Sequence, residues 1–201
     1  MTPGPLVLRP EPSGKWCLGV IALFRPRKGI AVLLKALAIL KKKQYPFILR
    51  AVGQFETSEY EYKIKTLVRQ MNLDSHIEWT GFKQDINIEL KKMDVFILSS
   101  LFGEGTPMVI LEAMAAGVPV IATKVEGIPE VITNKKMGIV VEAGNEFQIA
   151  RVLESLFKGN VDWSGIRNSA YQQQCIQYSD VRMAKDVALV YDNIIVQGKD
   201  K

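Results

Sequence analysis

Six short apolar runs, each separated from the next by a longer amphipathic or loop-forming stretch, leave this chain few folds to choose from. The runs are Cys17–Leu23, Phe47–Val52, Ile77–Gly81, Val95–Leu98, Val118–Ala122 and Gly138–Val141. Each has the length of a strand, and several are rich in Val and Ile. Their hydrophobicity is continuous rather than alternating, so such strands must be covered on both faces, as in a parallel sheet flanked by helices. Helical periodicity is read over Ile30–Lys43, Glu59–Met71, Asp85–Met93, Pro107–Ala116 and Gly127–Ile132. It continues past the last run over Glu146–Phe157, Trp163–Cys175 and Ser179–Val196. This alternation predicts an α/β fold with a doubly wound, mostly parallel six-stranded sheet and C-terminal helices. The Pro- and Gly-rich residues 1–15 read as a tail or linker, leaving residues 16–201 as one domain.

Composition narrows the function classes. With 48% hydrophobic and 23% charged residues in 201, the chain has ample material for a core, which excludes disorder as its main state. Cys17 and Cys175 are too few and too far apart for a disulfide scaffold. One His and two Cys leave a zinc site only carboxylates to build on. No apolar run reaches the roughly 20 residues that span a bilayer. Pro3, Pro5, Pro10 and Pro12 interrupt any signal-peptide core, so a reducing cytosol is the expected location. Charge is uneven: residues 1–50 hold ten Lys/Arg against one acid, Glu11, within a chain of net charge +5. A basic first quarter suits an anionic partner: phosphate, nucleic acid or an acidic membrane surface met peripherally. A solvated helix face explains Lys41, Lys42 and Lys43 equally well.

The segment from Phe102 to Gly117 carries the most chemistry. Gly103 and Gly105 bracket Glu104 in a loop after the fourth strand, Thr106 suits an N-cap and Pro107 a first helical position. A loop feeding a helix N-terminus at the carboxyl end of a parallel strand exposes unpaired amides and the positive end of the helix dipole, which favours phosphate. Glu112 is expected to be buried, because Met108, Val109, Ile110, Leu111, Ala113 and Met114 surround it. A buried carboxylate needs a partner; the paired hydroxyls of a ribose would serve, and so would an internal Lys, Arg or backbone group. After the first strand, Arg25, Arg27, Lys28 and Gly29 place three cations in a turn able to face a diphosphate.

These features occur together in one family. Arg-x-x-Lys-Gly after a first strand, then Glu-Gly-Thr-Pro-Met-Val-Ile-Leu-Glu-Ala-Met-Ala-Ala-Gly-Val-Pro-Val-Ile-Ala from Glu104, then Glu126-Gly-Ile-Pro-Glu130, follow in that order. Over roughly residues 16–196 the chain resembles the C-terminal, donor-binding domain of the retaining group 1 glycosyltransferases of GT-B fold. The resemblance implies two Rossmann-like domains facing across a cleft, this one binding a nucleoside diphosphate sugar and the other binding the acceptor. It implies that Lys28 neutralises the diphosphate with help from Arg25, that Glu104 holds hydroxyls of the transferred sugar, and that Glu112 holds the ribose. Backbone groups of Gly105, Thr106, Pro107, Met108 and Val109 would meet sugar or phosphate oxygens, and Gly53, Phe82 and Lys83 would border the base.

Two departures stand out. The family's second Arg would fall at Ala22 or Leu23, which are apolar here. Nothing in residues 1–15 replaces an acceptor domain, so the isolated chain is expected to be inactive. His76 reads as a strand-edge residue, Cys17 and Cys175 as buried hydrophobes, and Trp16, Trp79 and Trp163 as packing residues. Asp85 and Asp94 form no Asp-x-Asp pattern, so neither metal nor cofactor is expected. The expected function is the donor-binding half of a metal-independent hexosyltransferase-type enzyme in polysaccharide or glycolipid biosynthesis. The alternative is a non-catalytic nucleotide-binding or interaction module; no nucleic-acid motif accompanies the basic residues.

Overall fold

Every apolar run becomes a strand: β1 (Trp16–Ile21), β2 (Phe47–Val52), β3 (Ile77–Gly81), β4 (Val95–Leu98), β5 (Val120–Lys124) and β6 (Ile139–Glu142). The computed structural model describes Pro12 and residues 14–199, so the expected tail lies almost wholly outside the described residues. All strand pairs are parallel and the order is β3-β2-β1-β4-β5-β6. The sheet is therefore wholly rather than mostly parallel. The continuous runs divide with the pleat: in β4, Val95 and Ile97 enter one core while Phe96 and Leu98 enter the other.

The first core lies beneath α1 (Ile30–Lys42), α2 (Ser58–Gln70) and α6 (Glu146–Phe157). Leu33, Leu34, Leu37 and Leu40 form the buried stripe of α1, each contributing about 1.5–3 kcal/mol by leaving water. The second core lies beneath α3 (Ile86–Leu90), α4 (Met108–Ala115), α5 (Ile128–Val131) and α7 (Trp163–Gln173). Thr57 caps α2 by accepting the Tyr60 amide, and Asn72, at φ 52°, turns the chain away after it. The helix expected to run on to Cys175 stops at Gln173, where a π turn over Gln174–Tyr178 leads to α8 (Asp180–Lys199). Val187, Leu189, Val190 and Tyr191 of α8 are exposed. Among the described residues no helix is long and apolar enough to cross a membrane.

Smaller expectations sort themselves here. Trp16 and Trp163 are buried and meet edge to face at 6.4 Å, and Trp79 packs against Phe24 and Phe55. Cys17 and Cys175 are half-buried rather than buried, since each lies at the margin of a core. His76 ends a short 3-10 turn before β3 and rests on the Phe47 ring.

The basic first quarter is folded against the acids of the remainder. Arg25 pairs with Glu56, Lys28 with Glu104, Lys35 with Glu146, Lys43 with Glu154, and Arg50 with Glu78 and Glu89. Lys41 donates to the Asn72 carbonyl. Five of the ten cations of that quarter thus meet acids in space. The Arg50–Glu89 pair is the most enclosed of those away from the carboxyl edge of the sheet: Glu89 is 4% exposed and accepts from Arg50 Nε at 2.6 Å and Lys92 Nζ at 2.9 Å. Burial alone would raise the Glu89 carboxyl, but the hydrogen bonds from Arg50 and Lys92 hold it below its ordinary value.

Removing one partner of an enclosed pair strands the other. Glu89→Ala is therefore expected to lower the unfolding free energy by about 3 kcal/mol at pH 7, measured by urea denaturation. Because the folded carboxyl is depressed, its contribution is present above the unfolded carboxylate range and fades as pH falls through the folded value. The wild-type and variant midpoints should accordingly converge in acid.

Candidate functional site

With every strand parallel, all carboxyl ends meet at one edge, and the strand order reverses between β1 and β4. That reversal opens a crevice between the loops leaving those two strands. The loop after β1 contains a 3-10 turn at Pro26–Lys28, and the loop after β4 runs over residues 99–107. The two are stitched together. The Leu101 amide donates to the Arg27 carbonyl at 2.7 Å, Ser99 Oγ to the Lys28 carbonyl at 3.1 Å, and Arg27 Nη1 to the Gly103 carbonyl at 2.5 Å. Gly29 makes the approach possible: its φ is 66°, and a Cβ there would sit 1.9 Å from the Ser99 carbonyl oxygen.

This interlock sets Lys28 against Glu104 across the switch point. Lys28 Nζ lies 2.5 Å from Glu104 Oε1, and Ser100 Oγ donates to the same oxygen at 2.5 Å. Both side chains are enclosed, with 17% and 8% of their surfaces exposed. Among the described residues no bond is recorded to Glu104 Oε2, which leaves one acceptor oxygen for a ligand hydroxyl.

A third segment holds the loop from behind. Glu126, after β5, accepts from the amides of Gly103 and Glu104, the latter at 3.2 Å. These bonds, the Gly103 one foremost, hold its carboxyl below the usual range. The Gly127 amide returns a bond to the Glu104 carbonyl at 3.1 Å. A Cβ on Gly127 would stand 2.1 Å from the Gly105 carbonyl oxygen, so this contact requires glycine.

The start of α4 differs from expectation. Pro107, at φ −79° and ψ 87°, occupies the N-cap position, the helix begins at Met108, and Thr106 makes no capping bond. The cap carbonyl of Pro107 instead accepts the Ile110 amide at 2.9 Å, which tightens the first turn. The amides of Met108 and Val109 then precede the first intrahelical acceptor and present the positive end of the dipole.

Glu112, one turn on, is half-buried rather than buried. Among the described residues no cation or donor bonds its carboxylate, and burial pushes its carboxyl above the ordinary value. The internal Lys, Arg or backbone partner that would have explained it structurally is not found among those residues.

The remaining expected residues occupy the same edge with different partners. Arg25 Nη1 bonds Glu56 Oε1 at 3.2 Å, beside the β2 end of the edge, while Arg27 serves the 99–107 loop. Gly53 follows β2, and Phe82 and Lys83 follow β3, both exposed. Reading the sequence alone missed Ser100, Arg27, Glu126 and Gly127 as builders of the loop. The pairing of Ser99 with Ser100 at the end of an apolar strand, and a Glu-Gly step just after the next, were the available signals.

The sheet is that of the C-terminal, Rossmann-like domain of the GT-B fold. The family described as glycosyl transferases group 1 matches residues 9–179, and the chain belongs to that family. It is 32% identical over 149 residues to the putative colanic acid biosynthesis glycosyltransferase WcaL of Escherichia coli, covering 71% of this chain and 36% of that protein. It is 27% identical over 199 residues to phosphatidyl-myo-inositol mannosyltransferase of Mycobacterium leprae, covering 94% and 50%. The C-terminal domain of the group 1 glycosyl transferase LpcC from Francisella tularensis superposes with a TM-score of 0.75 at 27% identity, covering 83% of this chain and 88% of that one. Anabaena Alr3699/HepE, solved in complex with UDP, shares the fold with a TM-score of 0.82 at 22% identity over 90% of this chain and half of that one. The chain spans about a third of the length of WcaL and its similar relatives.

Glu126 is exposed and carries no core contact, so its loss should act on the loop alone. Glu126→Ala is expected to speed hydrogen exchange at the Gly103 and Glu104 amides and leave the melting temperature nearly unchanged. Site-resolved exchange by NMR checks both amides.

Proposed function

We propose that this crevice binds the diphosphate and sugar of a nucleoside diphosphate sugar, the donor of a retaining glycosyl transfer to an acceptor hydroxyl. The observation that carries the reading is the convergence of Lys28, Glu104 and the start of α4 at the β1/β4 switch point. Lys28 and the amides at the head of α4 meet the diphosphate, and this positive potential grows in worth as the leaving group gains charge. Glu104 Oε2 accepts hydroxyls of the transferred sugar, and Glu112 accepts those of the ribose. Gly53, Phe82 and Lys83 border the base, and Arg25 reaches the diphosphate by giving up Glu56. In the reaction the bond from the anomeric carbon to the diphosphate breaks, a bond to the acceptor oxygen forms, and the proton of the acceptor hydroxyl passes to the departing diphosphate.

Several relatives support the class of donor and product. UDP and UDP-glucose are bound in the Anabaena neighbour, and relatives are named for colanic acid and amylovoran biosynthesis. The acceptor is met by residues beyond this chain, in a cytoplasmic enzyme that builds polysaccharide or glycolipid. Because Lys28 and the helix start already supply positive charge, the diphosphate needs no divalent ion.

The test is calorimetric titration of uridine, guanosine and adenosine diphosphates and their sugar conjugates, first in EDTA and then with magnesium. Binding of one diphosphate and its conjugate in EDTA, without sugar transfer by the chain alone, is the expected result. Affinity that collapses in EDTA and returns with magnesium defeats the metal-free account. Lys28→Ala should weaken the diphosphate and its conjugate alike.

Glu112 separates ligand from scaffold. Its folded carboxyl is raised, so ionising it costs stability once pH passes the ordinary carboxylate value, and the cost is absent in acid where it is protonated in both states. Glu112→Gln is therefore expected to raise the ligand-free melting temperature at pH 7, with the gain vanishing toward pH 4. The same change should weaken the diphosphate about tenfold, since a carboxylate is the stronger acceptor by about 1 kcal/mol or more. A fall in melting temperature with unchanged affinity would mark Glu112 as structural.

A further inference from the structure

The outer edge of β6 forms the floor of a groove that the donor site does not use. The groove, of about 710 Å³, is walled by α6 through Arg151, Val152 and Ser155 and by α7 through Gly165, Ile166 and Ser169. One helix lies on each face of the sheet, so the groove runs along the sheet edge rather than over a face. Ile139 and Val140 line it directly.

The backbone there is available for pairing. The Glu142 amide donates to Gln148 Oε1 at 2.8 Å, which directs it away from β5. Alternate residues of a strand point their amide and carbonyl to the same side, so Val140 also presents both groups outward. Gln148 closes the far end of the edge, and Val140 is left open in the groove.

Charge selects the occupant. Lys135, Lys136 and Arg151 border the groove and are exposed, and no ion pair is recorded for any of them among the described residues. Asp162 is the acid in the lining, and its carboxylate is engaged in capping α7 through the Gly165 amide at 2.8 Å. Cations placed to blunt an edge stand on the edge strand itself. Here the strand reads Ile-Val-Val-Glu and the cations stand around it. A second copy of the chain would bring the same three cations to the same place and be repelled.

We propose that the β6 edge is a docking site for an acidic, extended segment of a partner protein, which adds to the sheet as a seventh strand. Backbone bonds at Val140 fix its direction, apolar side chains on one face of the added strand meet Ile166 on α7, and acids on the other face meet Arg151 on α6, with Lys135 and Lys136 at the start of the edge.

The probe is a fluorescein-labelled ten-residue peptide of alternating Glu and Val, with a Lys/Val peptide of the same length as its control. The expected result is saturable binding of the Glu/Val peptide alone, by anisotropy, with slowed exchange of the Val140 amide. Lys135→Glu combined with Arg151→Glu should weaken it at least tenfold. Val140→Pro, which removes the outward donor at an edge position that tolerates proline, should weaken it similarly while the charges remain. If Val140→Pro does not fold, as judged by its melting transition, Val140 exchange in the wild type takes its place. Absence of binding, equal binding of both peptides, or peptide binding that leaves Val140 exchange unchanged overturns the proposal. So does binding of phosphatidylserine vesicles in place of the peptide, or a dimer in sedimentation that the charge reversals abolish.

Discussion

No strand of this sheet runs backward, and the rest of the molecule is arranged around that constraint. Parallel strands need crossovers, the crossovers are helices, and the helices cover both faces, which is why the strands read as unbroken apolar runs. The same constraint brings every loop that follows a strand to one edge. The order β3-β2-β1-β4-β5-β6 then parts those loops at a single place, and Lys28 and Glu104 occupy its two banks. Position in the sheet, rather than any property of the two side chains, brings them together.

The two glutamates of the Glu-x7-Glu segment have opposite histories of solvation. Glu104 lost water and gained Lys28 and Ser100; Glu112 lost part of its water and gained no partner among the described residues. An enclosed ion pair contributes little net stability, because desolvation offsets most of the attraction. Its value here is geometric: three segments, from β1, β4 and β5, fix one carboxylate with one oxygen left over. On the reading proposed above, Lys28 keeps its bond to Glu104 Oε1 and turns its remaining N–H donors to the diphosphate.

Much of this was legible in the residues. The strands followed from apolar runs, and Leu33, Leu34, Leu37 and Leu40 marked the buried face of α1 by spacing alone. Gly103, Glu104 and Gly105 announced a loop feeding a helix. What failed depended on partners remote in sequence. Thr106 has every local quality of an N-cap, yet Pro107 takes that place because the loop enters α4 from an interlock with residues 25–29 and 126–127. Arg25 and Arg27 are indistinguishable as neighbours in a turn, and only the fold sends one to Glu56 and the other to Gly103. The basic first quarter suggested an external anion because its acids lie up to 111 residues further along the chain, as Lys43 and Glu154 do. The π turn at Gln174–Tyr178 interrupts a helical pattern that carries no Gly or Pro between Ile166 and Tyr178 to signal it.

The bond between Lys28 and Glu104 joins residues 76 positions apart, and β1 cannot meet β4 until everything between them has been gathered in. Pairing β1 with β2, by contrast, closes a loop containing only α1. Loop-closure entropy grows with the chain enclosed, so the contact that builds the crevice costs more to close than the pairing of β1 with β2. The switch point thus belongs to the late-assembling part of the domain. A nascent or partly unfolded chain can hold β1, β2 and β3 together and still have no crevice, so its assembly reports the docking of β4 on β1.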